Sequence, residues 1–244
     1  MLEVNGISYS IGPLHIIGNI TFGADKDEFI SIIGPSGCGK STLLRIIAGL
    51  IKPEKGEILY KGQKIEKPIK DLSFVFQDFA LLPWLTNIEN VKLGLSLLDI
   101  DEDTKEKKAR ELFKKMGLEG FENAYPNMLS GGMKQRVGIA RAIISDPTIL
   151  LMDEPFSSLD ELTAEALRKD IIQMLKSPEI PVSLVIMVTH NVEEAVELSN
   201  KVVILSNRPS YVKEIKEISL KYPRNKHSKE FMDEVDYIYK VLTD

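Results

Sequence analysis

Three apolar runs stand out along the chain, and each is followed by residues that can carry chemistry. They are nearly continuous in aliphatic side chains and span residues 28–33, 148–152 and 183–188. Continuous runs of this length predict strands of a parallel sheet that are buried on both faces. The first leads into Gly34, the second into Asp153 and the third into His190. Because open α/β sheets bind ligands beyond the carboxyl ends of their strands, we expect these residues along one edge of the sheet.

Weaker patterns predict the elements around this core. Residues 2–4 and 16–22 alternate, and residues 56–62 resemble another strand bounded by glycines, which indicates antiparallel strands in a β-layer beside the parallel sheet. Residues 101–117 are charged and periodic, as in a helix with one solvated face, and an amphipathic helix is expected over 229–242. The fold class is therefore α/β, with a parallel core, an N-terminal antiparallel part and an inserted helical part.

Composition narrows the function classes. The 244 residues are 43% hydrophobic and 27% charged, as in an ordinary globular protein with a sizeable core. The formal net charge of −5 offers nucleic acid no general attraction. The sequence lacks a membrane-length apolar run and a signal-peptide pattern, so we expect a cytoplasmic protein. Its one cysteine, Cys38, fits a reducing compartment, and a small filler role is favoured over a reactive thiol.

Residues 34–42 read GPSGCGKST and match the phosphate-loop pattern G-x-x-x-x-G-K-[ST]. The glycines let the backbone turn tightly, so that its N–H groups can point at phosphate oxygens. Lys40 is expected to reach the β- and γ-phosphates, and the Ser41 hydroxyl to bind Mg²⁺. A glycine-rich turn without a ligand is the alternative, but the preceding strand and the following apolar helix, 43–50, weigh strongly against it. The expected phosphate contacts are Gly34, Pro35, Ser36, Gly37, Cys38, Gly39, Lys40, Ser41 and Thr42.

Two further motifs complete the candidate chemistry. Asp153 and Glu154 end a predicted strand, where the first carboxylate of a phosphate-loop enzyme holds Mg²⁺. A carboxylate pair that only caps the next turn is the weaker alternative, because an aliphatic strand precedes it and Pro155 follows. Residues 129–136 read LSGGMKQR, and Ser130 is predicted to begin a helix whose hydroxyl and free N–H groups can bind an anion.

The phosphate loop, Gln77, LSGGMKQR, ILLMDE, SSLD and His190 follow one another across nearly the whole chain. This combination resembles the ATP-binding cassette ATPases. The resemblance implies a RecA-like phosphate-loop core with an N-terminal antiparallel β-subdomain and an inserted α-helical subdomain, all in a single domain over 1–244. Residues 1–86 and 137–244 would form the core with its β-subdomain, and 87–136 the helical subdomain. ATP and Mg²⁺ are the implied cofactors.

The resemblance also assigns roles to individual residues. Glu154 would polarise the attacking water, Gln77 would bind Mg²⁺ and that water, and His190 would contact the γ-phosphate. Ser130, Gly131 and Gly132 would close on the ATP of a second copy, and Asp160 would organise that partner's site. The implied catalytic set is Glu154, His190, Gln77 and Lys40, and the implied metal set is Ser41, Gln77 and Asp153.

One position departs from the family pattern, and the location of one further residue, Trp84, stays open. The family usually stacks adenine on an aromatic residue, but the matching position here is Ile11. Either the nearby Tyr9 substitutes, or Ile11 makes only apolar contact, and both would share a strand face. Trp84 either lies in the core or anchors a membrane subunit in the groove that follows Gln77.

Shorter sequence segments, such as LPWLTNI at 82–88 and MDEPF at 152–156, are similar to those of the ATPase subunits of nitrate/sulfonate/taurine-type importers. This resemblance implies a homodimer that encloses two ATP molecules, transmembrane permease subunits and, indirectly, a solute-binding protein, with no nucleic acid. The subunit would lie at the inner face of the cell membrane. An exporter subunit and a soluble cassette protein without a permease remain alternatives. A nucleotide kinase is remoter, because LSGGMKQR has no role there.

Overall fold

The computed structural model describes residues 1–175, 177 and 180–243. The strands are β1 (Leu2–Ile11), β2 (Leu14–Ala24), β3 (Glu28–Ile33), β4 (Lys55–Tyr60), β5 (Gln63–Lys64), β6 (Leu72–Val75), β7 (Ile149–Asp153), β8 (Leu184–Val188), β9 (Lys201–Leu205) and β10 (Ser210–Glu217). The helices are α1 (Lys40–Ile47), α2 (Asn87–Lys92), α3 (Glu102–Lys115), α4 (Gly131–Ile143), α5 (Glu161–Leu175), α6 (Val192–Leu198) and α7 (Lys229–Thr243). The chain divides into a first unit, Met1–Ile69 with Ser183–Asp244, and a second unit, Lys70–Val182.

The sheet of the first unit runs in the order β5-β4-β1-β2-β10-β9-β3-β8. β3 pairs parallel with β8 and with β9, whereas β1 pairs antiparallel with β2 and β4. β10 joins the two groups, because it pairs parallel with β2 on one edge and antiparallel with β9 on the other. The sequence predicted a β-layer beside the parallel sheet. Instead, hydrogen bonds through β10 make both groups one continuous sheet.

The three strands expected from continuous apolar runs are present. All five residues of β7 and all five of β8 are buried, and β3 is buried from its second residue onward. Each of these three strands therefore forms where the sequence predicted it, to within one residue. The antiparallel strand expected over 56–62 ends earlier, at Tyr60, because Lys61 and Gly62 have positive φ and turn the chain into β5.

The helices of the first unit flank the candidate site or pack on the sheet. α1 begins at Lys40 and ends at Ile47, before the expected end at residue 50, since Gly49 adopts a positive φ and closes the helix. α7 buries Phe231, Val235 and Ile238, which recur at helical spacing, in a core shared with α6, β3 and β9. The amphipathic helix expected at the chain's end is confirmed.

The second unit combines the parallel pair β6 and β7 with helices α2 to α5. α3 confirms the predicted charged helix: the Asp101 side chain caps its start by accepting from the Thr104 N–H at 2.8 Å, and Ala109, Leu112 and Phe113 are buried. The predicted subdomain boundaries at 87 and 136 stay a prediction. Among the described residues, no helix has both the length and the apolar character needed to cross a membrane.

Candidate active site

The phosphate-loop segment joins β3 to α1 in a conformation that depends on its glycines. Gly37 and Gly39 have φ of 74° and 104°, a region that disfavours residues with a Cβ. A Cβ on Gly39 would lie 2.7 Å from Ile16 Cγ2. Gly39 immediately precedes α1, so the N–H groups of the first helical turn and the preceding loop lie together, as an anion site requires.

Lys40 is buried at the start of α1, only 6% exposed. Its Nζ donates to the carbonyl oxygens of Gly34, at 2.9 Å, and Pro35, at 3.0 Å. Its ammonium group is thereby held over the loop rather than extended into solvent. Cys38, beside it, is almost wholly buried, and burial raises the pKa of its thiol despite the opposing charge of Lys40. A raised pKa favours the neutral thiol, in line with the filler role.

His190 lies at the same edge of the first unit as the phosphate loop. β3 and β8 run parallel with Ile32 opposite Val188, so the segments that follow both strands emerge side by side. His190 is exposed on the turn into α6. The turn is braced by the Thr189 hydroxyl, which donates to Glu194 Oε2 at 2.7 Å and accepts from the Asn191 N–H at 3.0 Å. Sequence reasoning missed this brace.

The β1–β2 hairpin carries the two candidate adenine residues. Ile11, at the end of β1, is 57% exposed and lies opposite Leu14, which is also exposed. Tyr9 is half-buried and lies opposite Ile17, and a register shift separates it from Ser10. The simple alternation expected to put Tyr9 and Ile11 on one face is therefore interrupted by a bulge-like irregularity. Of the two side chains, Ile11 presents more of its surface.

Gln77 and Glu154 come together in the second unit. β6 and β7 run parallel with Val75 opposite Met152, so both residues follow neighbouring strand ends. Gln77 Nε2 donates to Glu154 Oε2 at 3.4 Å. Asp153, the last residue of β7, is 1% exposed, whereas Glu154 is partly exposed with a φ of 45°. Left-handed backbone at a non-glycine residue costs about 1–3 kcal/mol and is common at functional sites.

The start of α4 has the predicted capping geometry. The exposed Ser130 hydroxyl accepts from the Met133 N–H at 3.3 Å, and α4 runs from Gly131. The two glycines have a packing role that the sequence analysis did not foresee. A Cβ on Gly131 would lie 3.1 Å from Leu159 Cδ2, and one on Gly132 would lie 2.6 Å from Thr163 Cγ2. α4 therefore approaches the start of α5 more closely than any larger residue allows.

Residues 157–160 connect the carboxylates to α5. The Ser157 hydroxyl donates to the Glu154 carbonyl oxygen at 3.0 Å. Asp160 caps α5, accepting from the Thr163 N–H at 3.0 Å and from its hydroxyl at 2.6 Å. These two hydrogen bonds hold the pKa of the Asp160 carboxyl below its usual range. Asp160 is thus an exposed, ionised carboxylate with a fixed orientation.

The segment after Gln77 is held by two residues that sequence reasoning missed. Phe79 and Ala80 both have positive φ, and the Arg141 guanidinium donates to their carbonyl oxygens at 2.6 Å each. Burial lowers the pKa of Arg141, against the opposing charge of Asp78. The buried Asn90 amide accepts from the Leu82 N–H and donates to three carbonyl oxygens, those of Leu82, Leu85 and Thr86.

Trp84 lies in the loop that Asn90 holds and is 69% exposed. The alternative that placed it in the core is therefore wrong, because the hydrogen bonds of Asn90 fix the loop backbone while the indole stays outside. An exposed tryptophan on a well-fixed loop is a common anchor in protein interfaces.

The oxygen donors of the predicted metal set fit Mg²⁺. Ser41 follows the phosphate loop in the first unit, and Gln77 and Asp153 lie in the second. Among the described residues, no group of three or more His, Cys, Asp or Glu side chains could hold a metal ion. Mg²⁺ needs no such cage, since it is usually bound through one or two protein oxygens, substrate phosphates and water.

Known proteins match this chain over most of its length. The family model described as ABC transporter matches residues 17–157. The aliphatic sulfonates import ATP-binding protein SsuB of Bacillus thuringiensis subsp. konkukian is 44% identical over 224 residues, 92% of this chain and 87% of SsuB. The uncharacterized ABC transporter ATP-binding protein MJ0412 of Methanocaldococcus jannaschii is 45% identical over 93% of this chain and 84% of its own length.

Two solved structures share the fold over most of the chain. The dimeric post-hydrolysis structure of the ATP-binding cassette MJ0796 bound to ADP and Pi has a TM-score of 0.77 at 32% identity, and the match covers 91% of this chain and 100% of that one. CbiO1 from Clostridium perfringens, part of the complex cbiONQ, has a TM-score of 0.78 at 26% identity, over 98% of this chain and 93% of its own.

Proposed function

Because this chain belongs to the ABC transporter family and is an ATP-hydrolysing ATP-binding cassette, we propose that two copies enclose two Mg²⁺·ATP molecules and drive solute import through a separate membrane permease. The observation that supports an ATP site shared between two copies is the exposed start of α4. Its hydroxyl and N–H groups can bind an anion, yet the chain's own phosphate loop already supplies such a site. The ATP held by the phosphate loop of a second copy gives this additional anion site its ligand.

Within each site the residues divide the work as follows. The phosphate loop holds the triphosphate, and Lys40 exchanges its carbonyl partners for the β- and γ-phosphates. Ser41, Gln77 and Asp153 hold Mg²⁺, which neutralises phosphate charge when bound. Glu154 accepts a proton from the attacking water, and the 3.4 Å contact with Gln77 orients its carboxylate. His190 contacts the γ-phosphate.

The dimer closes by a shift in population. ATP that touches the phosphate loop of one copy and the α4 start of the other favours the closed state, and loss of the γ-phosphate removes that preference. Asp160 of each copy organises the opposite site. Ile11 meets the adenine with apolar contact alone, since no aromatic ring occupies its position.

Import, rather than export, is supported by the 44% identity to proteins named as aliphatic sulfonates import ATP-binding proteins. We therefore assign this chain to the uptake of a small anionic solute of that type. The exposed Trp84 and the loop around it form the contact with the permease. A solute-binding protein acts on the far side of that permease, and this subunit lies at the inner face of the membrane.

The test is Glu154→Gln, which removes the proton acceptor but keeps the shape of the side chain. ATP binding should persist, turnover should fall by about 100-fold or more, and a dimer should accumulate with ATP and Mg²⁺ in gel filtration. Glu165→Gln, which changes an exposed carboxylate of α5, is the matched control and should behave as wild type. A monomer under conditions of confirmed ATP binding would rule out the shared site. Copurification with ribosomes or nucleic acid and with no membrane protein would rule out the transporter role.

A further inference from the structure

Arg168 is a buried cation for which the proposed reaction has no direct use. It lies on α5, 0% exposed, and its Nη2 donates to Glu161 Oε1 at 2.6 Å. Its guanidinium carbon lies 5.7 Å from the centre of the Phe156 ring. Burying a guanidinium is costly unless ionic and aromatic partners compensate. The position of Arg168 therefore calls for a reason beyond filling space.

These contacts of Arg168 lie at the two ends of one short loop. Phe156 is the second residue after Glu154 and is almost fully buried, and Glu161 directly follows Asp160. Between these contacts Ser157 and Ser158 are exposed. Arg168 thus holds both ends of the segment that runs from the carboxylate proposed to activate water to the carboxylate proposed to act on the opposite site.

The loop itself needs such support. Glu154 adopts a φ of 45°, a strained conformation that persists only where the surroundings impose it. The described hydrogen bonds within the loop are local: the Ser157 hydroxyl and N–H both donate to the Glu154 carbonyl oxygen, at 3.0 and 3.3 Å, and the Leu159 N–H donates to the Phe156 carbonyl oxygen at 3.1 Å. A planar guanidinium that contacts an aromatic face and a carboxylate together fixes both more rigidly than an ammonium can.

We propose that Arg168 is a positioning residue for ATP hydrolysis, which orients Glu154 and Asp160 by joining Phe156 to Glu161 beneath the loop. This inference rests on the proposed function. It adds that hydrolysis and dimer closure depend on a buried group that touches neither nucleotide nor Mg²⁺. Nucleotide capture by the phosphate loop should be independent of it, because that loop belongs to the other compact unit of the chain.

Arg168→Met, which keeps most of the volume and removes the charge, is the test. With the full chain, ATP affinity should stay within about twofold, while kcat per folded molecule falls by about 100-fold, the loss typical of a misplacement near 1 Å. In a Glu154→Gln background the same change should weaken the ATP-dependent dimer. Arg168→Lys, which keeps the charge without the planar fork, should recover part of kcat.

Lys169→Met is the matched control, because Lys169 is the next residue and pairs with Glu165 on the exposed face of α5. It should leave kcat and dimer formation unchanged. Glu161→Gln removes the charge of the exposed carboxylate that pairs with Arg168, and it is the alternative test if Arg168→Met does not fold. It should lower kcat by less than Arg168→Met does and leave the ATP affinity unchanged. Unchanged kcat in folded Arg168→Met, or equal losses in Lys169→Met, would overturn the positioning role. Failure of wild type to hydrolyse ATP, or of Glu154→Gln to dimerise, would instead count against the proposed function.

Discussion

Gly132→Ala tests whether the close approach of α4 to α5 is what requires glycine in the LSGG segment. The added Cβ would lie 2.6 Å from Thr163 Cγ2, about 0.8 Å inside the 3.4 Å at which ordinary contact begins. The Thr163 methyl group cannot rotate away freely, because the hydroxyl on the same carbon donates to Asp160 at 2.6 Å. The start of α4 or of α5 must therefore move.

The expected cost follows from two opposing terms. Overpacking of this kind costs about 1–3 kcal/mol, and replacing glycine by alanine in a helix returns about 1 kcal/mol. The net loss of stability is about 0–2 kcal/mol, or a midpoint of thermal unfolding lower by at most about 8 °C. Activity should suffer more, by about 10- to 100-fold in kcat, since the shift moves Ser130 and Asp160 relative to their targets.

Steady-state ATPase measurements on three further variants show whether packing against Thr163 causes the loss of activity in Gly132→Ala. Thr163→Ser removes the methyl group and keeps the hydroxyl, so the pair Gly132→Ala with Thr163→Ser should recover most of kcat. Gly138→Ala, on the same helix, places its Cβ 3.5 Å from the Phe79 carbonyl oxygen, an ordinary contact, and should be tolerated. If Thr163→Ser fails to rescue while Gly138→Ala is normal, the glycine is required by a ligand and the packing argument is refuted.

Three other outcomes are expected. Because burial raises the pKa of Cys38, thiol-reagent labelling at pH 8 should be at least about tenfold slower in the native protein than in urea, and faster as pH rises; fast native labelling would contradict the burial. Ile11→Tyr should tighten ATP binding about fivefold in calorimetry by adding about 1 kcal/mol of stacking, and unchanged affinity would place the base elsewhere. Asn90→Ala should lower the free energy of unfolding by about 2–4 kcal/mol and the fluorescence anisotropy of Trp84; a rigid Trp84 would show that Asn90 does not hold its loop.

Much of the fold could be predicted because burial leaves a direct trace in the sequence. β3, β7 and β8 are buried on both faces, so their residues must be almost uniformly apolar. α3 was predictable because one solvated face forces a helical period on its charges. β10 left no such trace: its SYVKEIKE sequence is polar, and its lysines and glutamates reach residues of α7, as in the ion pair of Lys216 with Glu234.

In the candidate site, too, some residues could be predicted from the sequence and others could not. The phosphate loop, the carboxylates and the Ser130 cap are local patterns, in which a few neighbouring residues determine both conformation and chemistry. Arg141 and Arg168 were not predictable, because their roles depend on what they contact. Arg141 binds carbonyl oxygens some 60 residues away in sequence. Arg168 contacts the Phe156 ring and a carboxylate, but the sequence around it would suit an arginine on the protein surface equally well.

These supporting contacts all lie in one compact unit, and that has a mechanical consequence. Gly131 packs against Leu159 and Gly132 against Thr163, so the exposed start of α4 is tied to the loop that ends at Asp160. Arg168 ties the other end of this loop to α5 next to Glu154. The group expected to bind the opposite copy's phosphate and the group expected to activate water on the chain's own phosphate therefore move as one piece. Under the proposed function, a closed dimer that draws Ser130 onto ATP would then also set the geometry of Glu154, and hydrolysis would wait for closure without any separate switch.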